Sequence, residues 1–259
     1  MNGVHWRHWP GAADRPAIAL HCMLGSGRSW GPIADRLDGR IDLRAPDWPG
    51  HGRSAAWQPG PGPDITTTAA RLVGAAIDRP LDLIGHSFGA VVALRIAVAA
   101  PQAIRSLTLV EPVLFAALPA RDRDADGLMD RLLAAEAAGD RAGATRMFMR
   151  HWGGTDPDAA QAPARAQMQA QMATVLDSMP DLYDDRGRIL RDGGIEAIEA
   201  PVLLISGAQS PPGIHSIAEA LAARMADVGR ATVPGAGHMA PLTHPDAVAG
   251  LIAANLDRA

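Results

Sequence analysis

The sequence contains no lysine; all 24 of its basic residues are arginine. Schiff-base, pyridoxal-phosphate and P-loop chemistries each need a lysine, so those routes are excluded and neither a cofactor nor a metal is expected. Against 28 acidic residues the arginines leave a net charge of −4, which gives no reason to expect nucleic acid or an anionic membrane as partner. There is one cysteine, Cys22. No intrachain disulfide can form, and a reducing, cytoplasmic setting is expected. No apolar run approaches the roughly 18 residues of a membrane span. Met1 to Pro10 holds two Trp and two His but no apolar stretch of the signal-peptide kind.

What is present is ordinary globular material: 259 residues, 47% hydrophobic and 20% charged. That length suits one α/β domain, or one domain plus an insertion. Short apolar runs at Ala17 to Leu20, Ile41 to Ala45, Leu81 to Ile84 and Ser106 to Val110 read as strands, with Val4 to Trp9 as an early edge strand or hairpin. Helical stretches lie between them: Trp30 to Leu37, with Ser29 placed to cap it, Thr66 to Ile77, and Ala90 to Ala100, closed by Pro101. Such alternation predicts a parallel sheet with right-handed crossovers. The rhythm stops at 113 to 198, where only helical runs are found (Gly127 to Ala138, Arg141 to Trp152, Ala164 to Met179), with six of the ten methionines. It resumes with a strand Pro201 to Ser206, a helix Ile214 to Met225, a strand Ala231 to Val233 and a helix Pro241 to Leu256. The reading is an α/β core over 1–112 and 199–259 with a helical insertion at 113–198.

The chain is organised around Gly85-His86-Ser87-Phe88-Gly89. An apolar strand before it and an uninterrupted helix after it form the context in which G-x-S-x-G is a nucleophile elbow. A serine on so tight a turn has a strained backbone, and its neighbours two residues away must lack side chains because the chain folds back on them. The first amides of the helix face the hydroxyl and favour an anion there. A second glycine pattern, Gly50, Gly52 and Ala55, superficially matches a dinucleotide fingerprint. It is rejected because Trp57 to Pro63 is a Gly/Pro-rich loop where the fingerprint needs a helix.

A serine needs a base to take its proton. Among nine histidines, His238 in Gly235-Ala236-Gly237-His238-Met239 is best placed, after the last strand and beside two glycines. His215 and His244 sit at or near helix starts, and His21, His51 and His86 are expected to orient loops. A carboxylate should fix the tautomer of His238. The loop after Ser206 offers none, whereas Glu111 stands at the carboxyl end of a strand, where sites in such sheets lie. Glu111 is therefore the expected acid, with Asp181 as the comparison residue. The oxyanion donors are expected to be the amides of Phe88 and Met23.

On these motifs (His21 with its small-residue loop, Asp47 to Ser54, the elbow, and Gly237-His238) the chain resembles the α/β-hydrolase family over about residues 16–259. The resemblance implies a Ser-His-acid site and makes the insertion a helical cap over the pocket. Two positions depart from the family pattern. Cys22 stands where His-Gly is usual, and Ser210 lies near where an Asp is common; some members place the acid one strand earlier, which fits Glu111. The expected function is a serine hydrolase of small apolar carboxylic esters or lactones, with no nucleic-acid or membrane partner and the oligomeric state open between monomer and homodimer. The methionines fit an adaptable acyl pocket, or packing between cap helices. Two alternatives remain: C–C bond hydrolysis or perhydrolysis by the same triad, or a receptor of this fold that turns over too slowly to matter.

Overall fold

Apolar runs bounded by proline, glycine or charge become the strands. The computed structural model describes residues 3–58, 60–153 and 156–259. Its seven strands are β1 (Trp6–Trp9), β2 (Pro16–Leu20), β3 (Asp42–Pro46), β4 (Leu81–His86), β5 (Ile104–Val110), β6 (Val202–Gly207) and β7 (Val228–Val233). They form one sheet in the order β1-β3-β2-β4-β5-β6-β7. β1 runs antiparallel to β3, with Trp6 opposite Pro46; every other pairing is parallel. Every residue of central β4 and β6 is buried, as expected of parallel strands covered on both faces.

The core helices are α1 (Gly31–Leu37), α2 (Ile65–Gly74), α3 (Phe88–Ala99), α7 (Pro212–Ala222), α8 (Ala240–Thr243) and α9 (Pro245–Leu256). On one face α1 and α9 pack Ile33, Leu37, Val248 and Ile252 onto Ile84, Val110 and Ile205. On the other, α2, α3 and α7 form a larger core. Helix α3 is apolar all round and buried along nearly its whole length, a helix that burial rather than amphipathic patterning explains.

Three boundaries differ from the sequence reading for local reasons. Ser29 does not cap α1. It lies inside a 3-10 turn, Gly27–Trp30, and its hydroxyl donates to the Ser26 carbonyl. The capping bond would need a free N–H two or three residues on; the Gly31 amide already donates to the Arg28 carbonyl, and Pro32 has none. The last helix is two, because His244 precedes Pro245 and is held out of the helical region at φ −133°, ψ 52°. β7 begins three residues earlier than its apolar core, at an edge where half-exposed residues pair as well as buried ones.

Between β5 and β6 the chain forms α4 (Leu128–Ala137), α5 (Arg141–Trp152) and α6 (Ala162–Asp184), and no strand among the described residues. Helix α6 continues through Pro180, past the expected end. The Asp177 carboxylate ties it to the core, accepting from Trp57 Nε1 at 3.1 Å and from the Ile65 amide at 2.9 Å. No helix is long and apolar enough to cross a membrane among the described residues.

Candidate active site

β4 ends at the middle of the sheet, and Ser87 stands on the turn into α3 with φ +57° and ψ −119°. Only glycine fits two residues either side. A Cβ on Gly85 would sit 2.4 Å from the Gly89 carbonyl oxygen and 2.5 Å from the Ala90 Cα. One on Gly89 would sit 2.2 Å from the Leu20 carbonyl oxygen, so that glycine answers to the neighbouring strand β2, not to the fold-back of its own chain. The Ser87 amide donates to the Val110 carbonyl at 2.9 Å and pins the turn to β5.

The next strand supplies Glu111. It too has a left-handed backbone, φ +55°, and its side chain is fully buried. One carboxylate oxygen accepts from the Gly207 amide and, at 2.8 Å, from the Ser210 hydroxyl. The other lies 2.9 Å from His238 Nδ1. Burial pushes the Glu111 carboxyl up, but His238 and the Gly207 and Ser210 donors outweigh it and hold it below the ordinary glutamate value. Ser210, the position that departs from the family pattern, thus holds the carboxylate from the neighbouring strand.

His238 arrives from the far edge, and its loop must cross β6 to reach the elbow. It does so over Gly207, where a Cβ would meet the carbonyl oxygens of Ala236 at 2.5 Å and Gly237 at 2.6 Å. Gly235 makes the turn at φ +73°. The Gln209 amide donates to the Ala236 carbonyl, and the His86 ring bonds the His238 carbonyl at 2.9 Å through Nε2. His238 Nε2 then lies 2.9 Å from Ser87 Oγ. Ser87, His238 and Glu111 form one hydrogen-bonded line with 7%, 5% and 0% of their surfaces exposed. Asp181 lies elsewhere, on α6, where it faces Asp64 and Arg95.

Three further histidines, His21, His51 and His86, fasten loops around the site. His21 accepts from the Trp48 amide at 3.1 Å and bonds the Cys22 carbonyl; burial and neighbouring His51 hold its pKa well below the usual value. His51 accepts from the Leu24 amide at 3.2 Å, and burial lowers it to about 4. Burial, then the neighbouring His238, lowers His86 to about 3. All three are neutral at pH 7 and serve as fixed hydrogen-bonding wedges. Asp47, buried behind them, accepts from the Gly27 and Arg53 amides. The Gly50–Ala55 stretch is turn, and among the described residues after it the first helix begins at Ile65.

Cys22-Met23-Leu24-Gly25 is a tight turn closed by the Gly25 amide on the Cys22 carbonyl at 3.2 Å, with Leu24 at φ +59°. It follows β2, beside β4, so Met23 and Phe88 flank Ser87 from two strands. Burial pushes the Cys22 thiol up to about 12, which keeps it protonated beside the serine.

A cavity of about 370 Å³ contains Ser87 and His238. Its walls are Met23, Leu24 and Leu242 from the core and Phe148, Met149 and Trp152 from α5. A narrower slot runs from Ser87 toward Val175, Met179 and Leu182 of α6. Met149 and Met179 line these spaces, while Met172 is buried packing, so the insertion's methionines divide between cavity wall and core. Sequence reasoning did not find Trp152. Its ring lies 4.5 Å from that of His238, and it borders the cavity, the slot and a separate pocket of about 240 Å³ lined by Asp126, His151 and Tyr183. Among the described residues no group of three or more His, Cys, Asp or Glu side chains is arranged to hold a metal ion.

Fold and sequence together define the class: a family model described as the alpha/beta hydrolase family matches residues 17–251, and the chain belongs to that family. The relatives that it matches over nearly its whole length include proteins named as a lipase and as esterases. It is 27% identical over 262 residues to "Lipase LipV" of Mycobacterium tuberculosis, covering 98% of this chain and 97% of that one. It is 30% identical over 247 residues to a pimeloyl-[acyl-carrier protein] methyl ester esterase of Neisseria meningitidis, covering 92% and 76%. Among solved structures it matches a hydrolase from Pseudomonas aeruginosa at TM-score 0.70 and 25% identity, covering 98% and 94%. The enol-lactonase of Burkholderia xenovorans shares the fold at TM-score 0.74 and 18% identity, covering 98% and 96%.

Proposed function

We propose that the protein is a serine hydrolase that cleaves carboxylic esters, lactones among them, of small apolar acyl groups through an acyl-enzyme on Ser87. The single supporting observation is the unbroken line from Ser87 Oγ through His238 to Glu111, with both links at 2.9 Å. Ser87 attacks the acyl carbon while His238 Nε2 takes its proton. Glu111 holds Nδ1–H, fixing the tautomer and steadying the imidazolium. The Phe88 and Met23 amides receive the oxyanion, reinforced by the N-terminal end of α3. His238 then protonates the leaving alcohol, and water, deprotonated by the same imidazole, releases the acid.

The insertion at 113–198 acts as the cap in this reading, with Phe148, Met149 and Trp152 roofing a pocket whose floor is the 1–112 and 199–259 core. Relatives named as ester hydrolases support an ester in preference to the C–C bond or peracid chemistry that the same three side chains could perform. The test is a panel of 4-nitrophenyl esters of increasing acyl length, run on wild type and Ser87→Ala. Turnover above about 1 s⁻¹ in wild type, within the usual enzyme range, counts against a slow receptor. Turnover retained in the alanine variant would overturn the mechanism.

A further inference from the structure

The cavity at Ser87 has a neighbour across Leu242. Leu24, Gly25, Ser29 and Leu242 also border a second, more open groove of about 640 Å³. The two spaces adjoin across that shared wall, so a molecule that occupies both must be long enough to pass over it. Their chemistry differs. The first is walled by methionine, leucine, phenylalanine and tryptophan. The second presents Arg7, Arg28, Ser26, Ser29, Gln167 and Gln171, and no aspartate or glutamate.

In a chain of net charge −4, a groove whose only ionic groups are two arginines is a local reversal of sign. Elsewhere in the chain several arginines already have carboxylate partners: Arg15 bonds Asp82, Arg36 bonds Asp246 and Arg40 bonds Asp257. Arg7 is different. Its Nε is buried and has no hydrogen-bond partner among the described residues. A buried, unpaired guanidinium nitrogen is costly, and it leaves the Arg7 side chain without a compensating carboxylate among the described residues. Arg28 stands exposed on the Gly27–Trp30 turn, on the same groove. Asp47, beneath Gly52, is engaged by the Gly27 and Arg53 amides.

We propose that this groove is an anion subsite, and that the preferred substrate is an ester whose non-reacting end carries a carboxylate or a phosphate. The inference rests on the ester-hydrolase reading of Ser87 and narrows its substrate class. A planar guanidinium matches the paired oxygens of either group. In this proposal the reacting ester lies among the apolar walls, and the charged end extends past Gly25 and Ser29, which border both spaces, toward Arg7 and Arg28.

The experiment uses methyl esters of matched chain length that end in a methyl group, a carboxylate or a phosphate monoester. In wild type at low ionic strength, at least one anionic series is expected to exceed the neutral one in kcat/KM by about tenfold, mainly through KM, and 0.5 M NaCl should shrink the margin. The carboxylate and phosphate arms show which anion is preferred. Arg28→Gln and Arg7→Met should each lower the anionic-to-neutral ratio by about fivefold. Arg28 is exposed, so its variant carries the test if the Arg7 change disturbs β1. A ratio near one in wild type, or a ratio unmoved by Arg28→Gln, overturns the proposal. If no ester is turned over, the hydrolase reading fails separately. Calorimetric binding of a dicarboxylate monomethyl ester to Ser87→Ala, with and without Arg28→Gln, then decides the subsite: equal affinity in both rejects it.

Discussion

The site is built by two regions that work differently. The core side is fixed by backbone: Ser87 and Glu111 at positive φ, Gly85, Gly89 and Gly207 where any Cβ would collide, and His238 held at its carbonyl by His86. The insertion side is made of side chains. Phe148, Met149 and Trp152 reach the cavity from one helix, half-buried, with no hydrogen bond to the elbow among the described residues. Backbone-fixed atoms hold bond-making geometry to a fraction of an ångström, which proton transfer requires. Long apolar side chains can repack around different acyl groups. Under the proposed mechanism the chemistry falls to the core and the choice of acyl group to the insertion, so variants on the two sides should separate kcat from acyl-chain preference.

The largest break is expected on the core side. Under the proposed mechanism Ser87→Ala should lower kcat for any ester by about 10⁴-fold or more, measured by steady-state turnover, with binding kept. Glu111→Gln should lower kcat by about 10²- to 10⁴-fold, because the amide can present its N–H to Nδ1 and favour the wrong tautomer. Asp181→Asn is the control on the insertion side and should leave kcat within about twofold. If only the Asp181 change collapses turnover, the acid is misassigned.

How far the sequence revealed these regions follows the same division. Steric rules act over a few residues, so Gly85 could be read from the fold-back of its own chain, whereas the demand on Gly89 comes from Leu20 of β2; the glycines at 235 and 237 pointed to His238. Glu111 could be placed at a strand end, but its bond from Ser210 joins two strands 99 residues apart and is set only by sheet register. The break at His244 was legible in principle, since Pro245 restricts the residue before it. Trp152 against His238 depends on how α5 docks, and no local pattern encodes that. Arg7 reaches the groove because β1 turns antiparallel at the sheet edge beside β3, a pairing the run Val4 to Trp9 does not specify.

A smaller effect is expected where the two regions meet. Trp152 separates the Ser87 cavity from the 240 Å³ pocket beside it. Trp152→Ala should join them and move the preferred acyl chain to greater length, shifting kcat/KM for long over short esters by about tenfold. A chain-length profile of unchanged shape, with all rates falling equally, would make Trp152 a packing element for His238 and move it to the chemical side of the comparison.

The smallest effect concerns how the insertion is fastened. On α6, Asp181 faces Asp64, the N-cap of α2, with Arg95 of α3 3.7 Å away and the Thr66 and Thr67 hydroxyls beside them. Burial, then the neighbouring Asp64 carboxyl, raises Asp181 to about 6 from an ordinary 3.8, while Asp64 is held low by its own donors. The folded pKa is raised, so the contribution to stability is full below the unfolded value and is lost as pH rises through about 6. Asparagine copies the protonated acid at every pH. Asp181→Asn should therefore match wild type near pH 4 and exceed it near pH 8, by about 2–4 °C in Tm for each kcal/mol of relief. Calorimetric melts across that range measure it. A variant less stable at pH 8 would mean that Arg95 needs the charge of Asp181 more than Asp64 resists it, and that this junction is an ion pair instead of a shared proton.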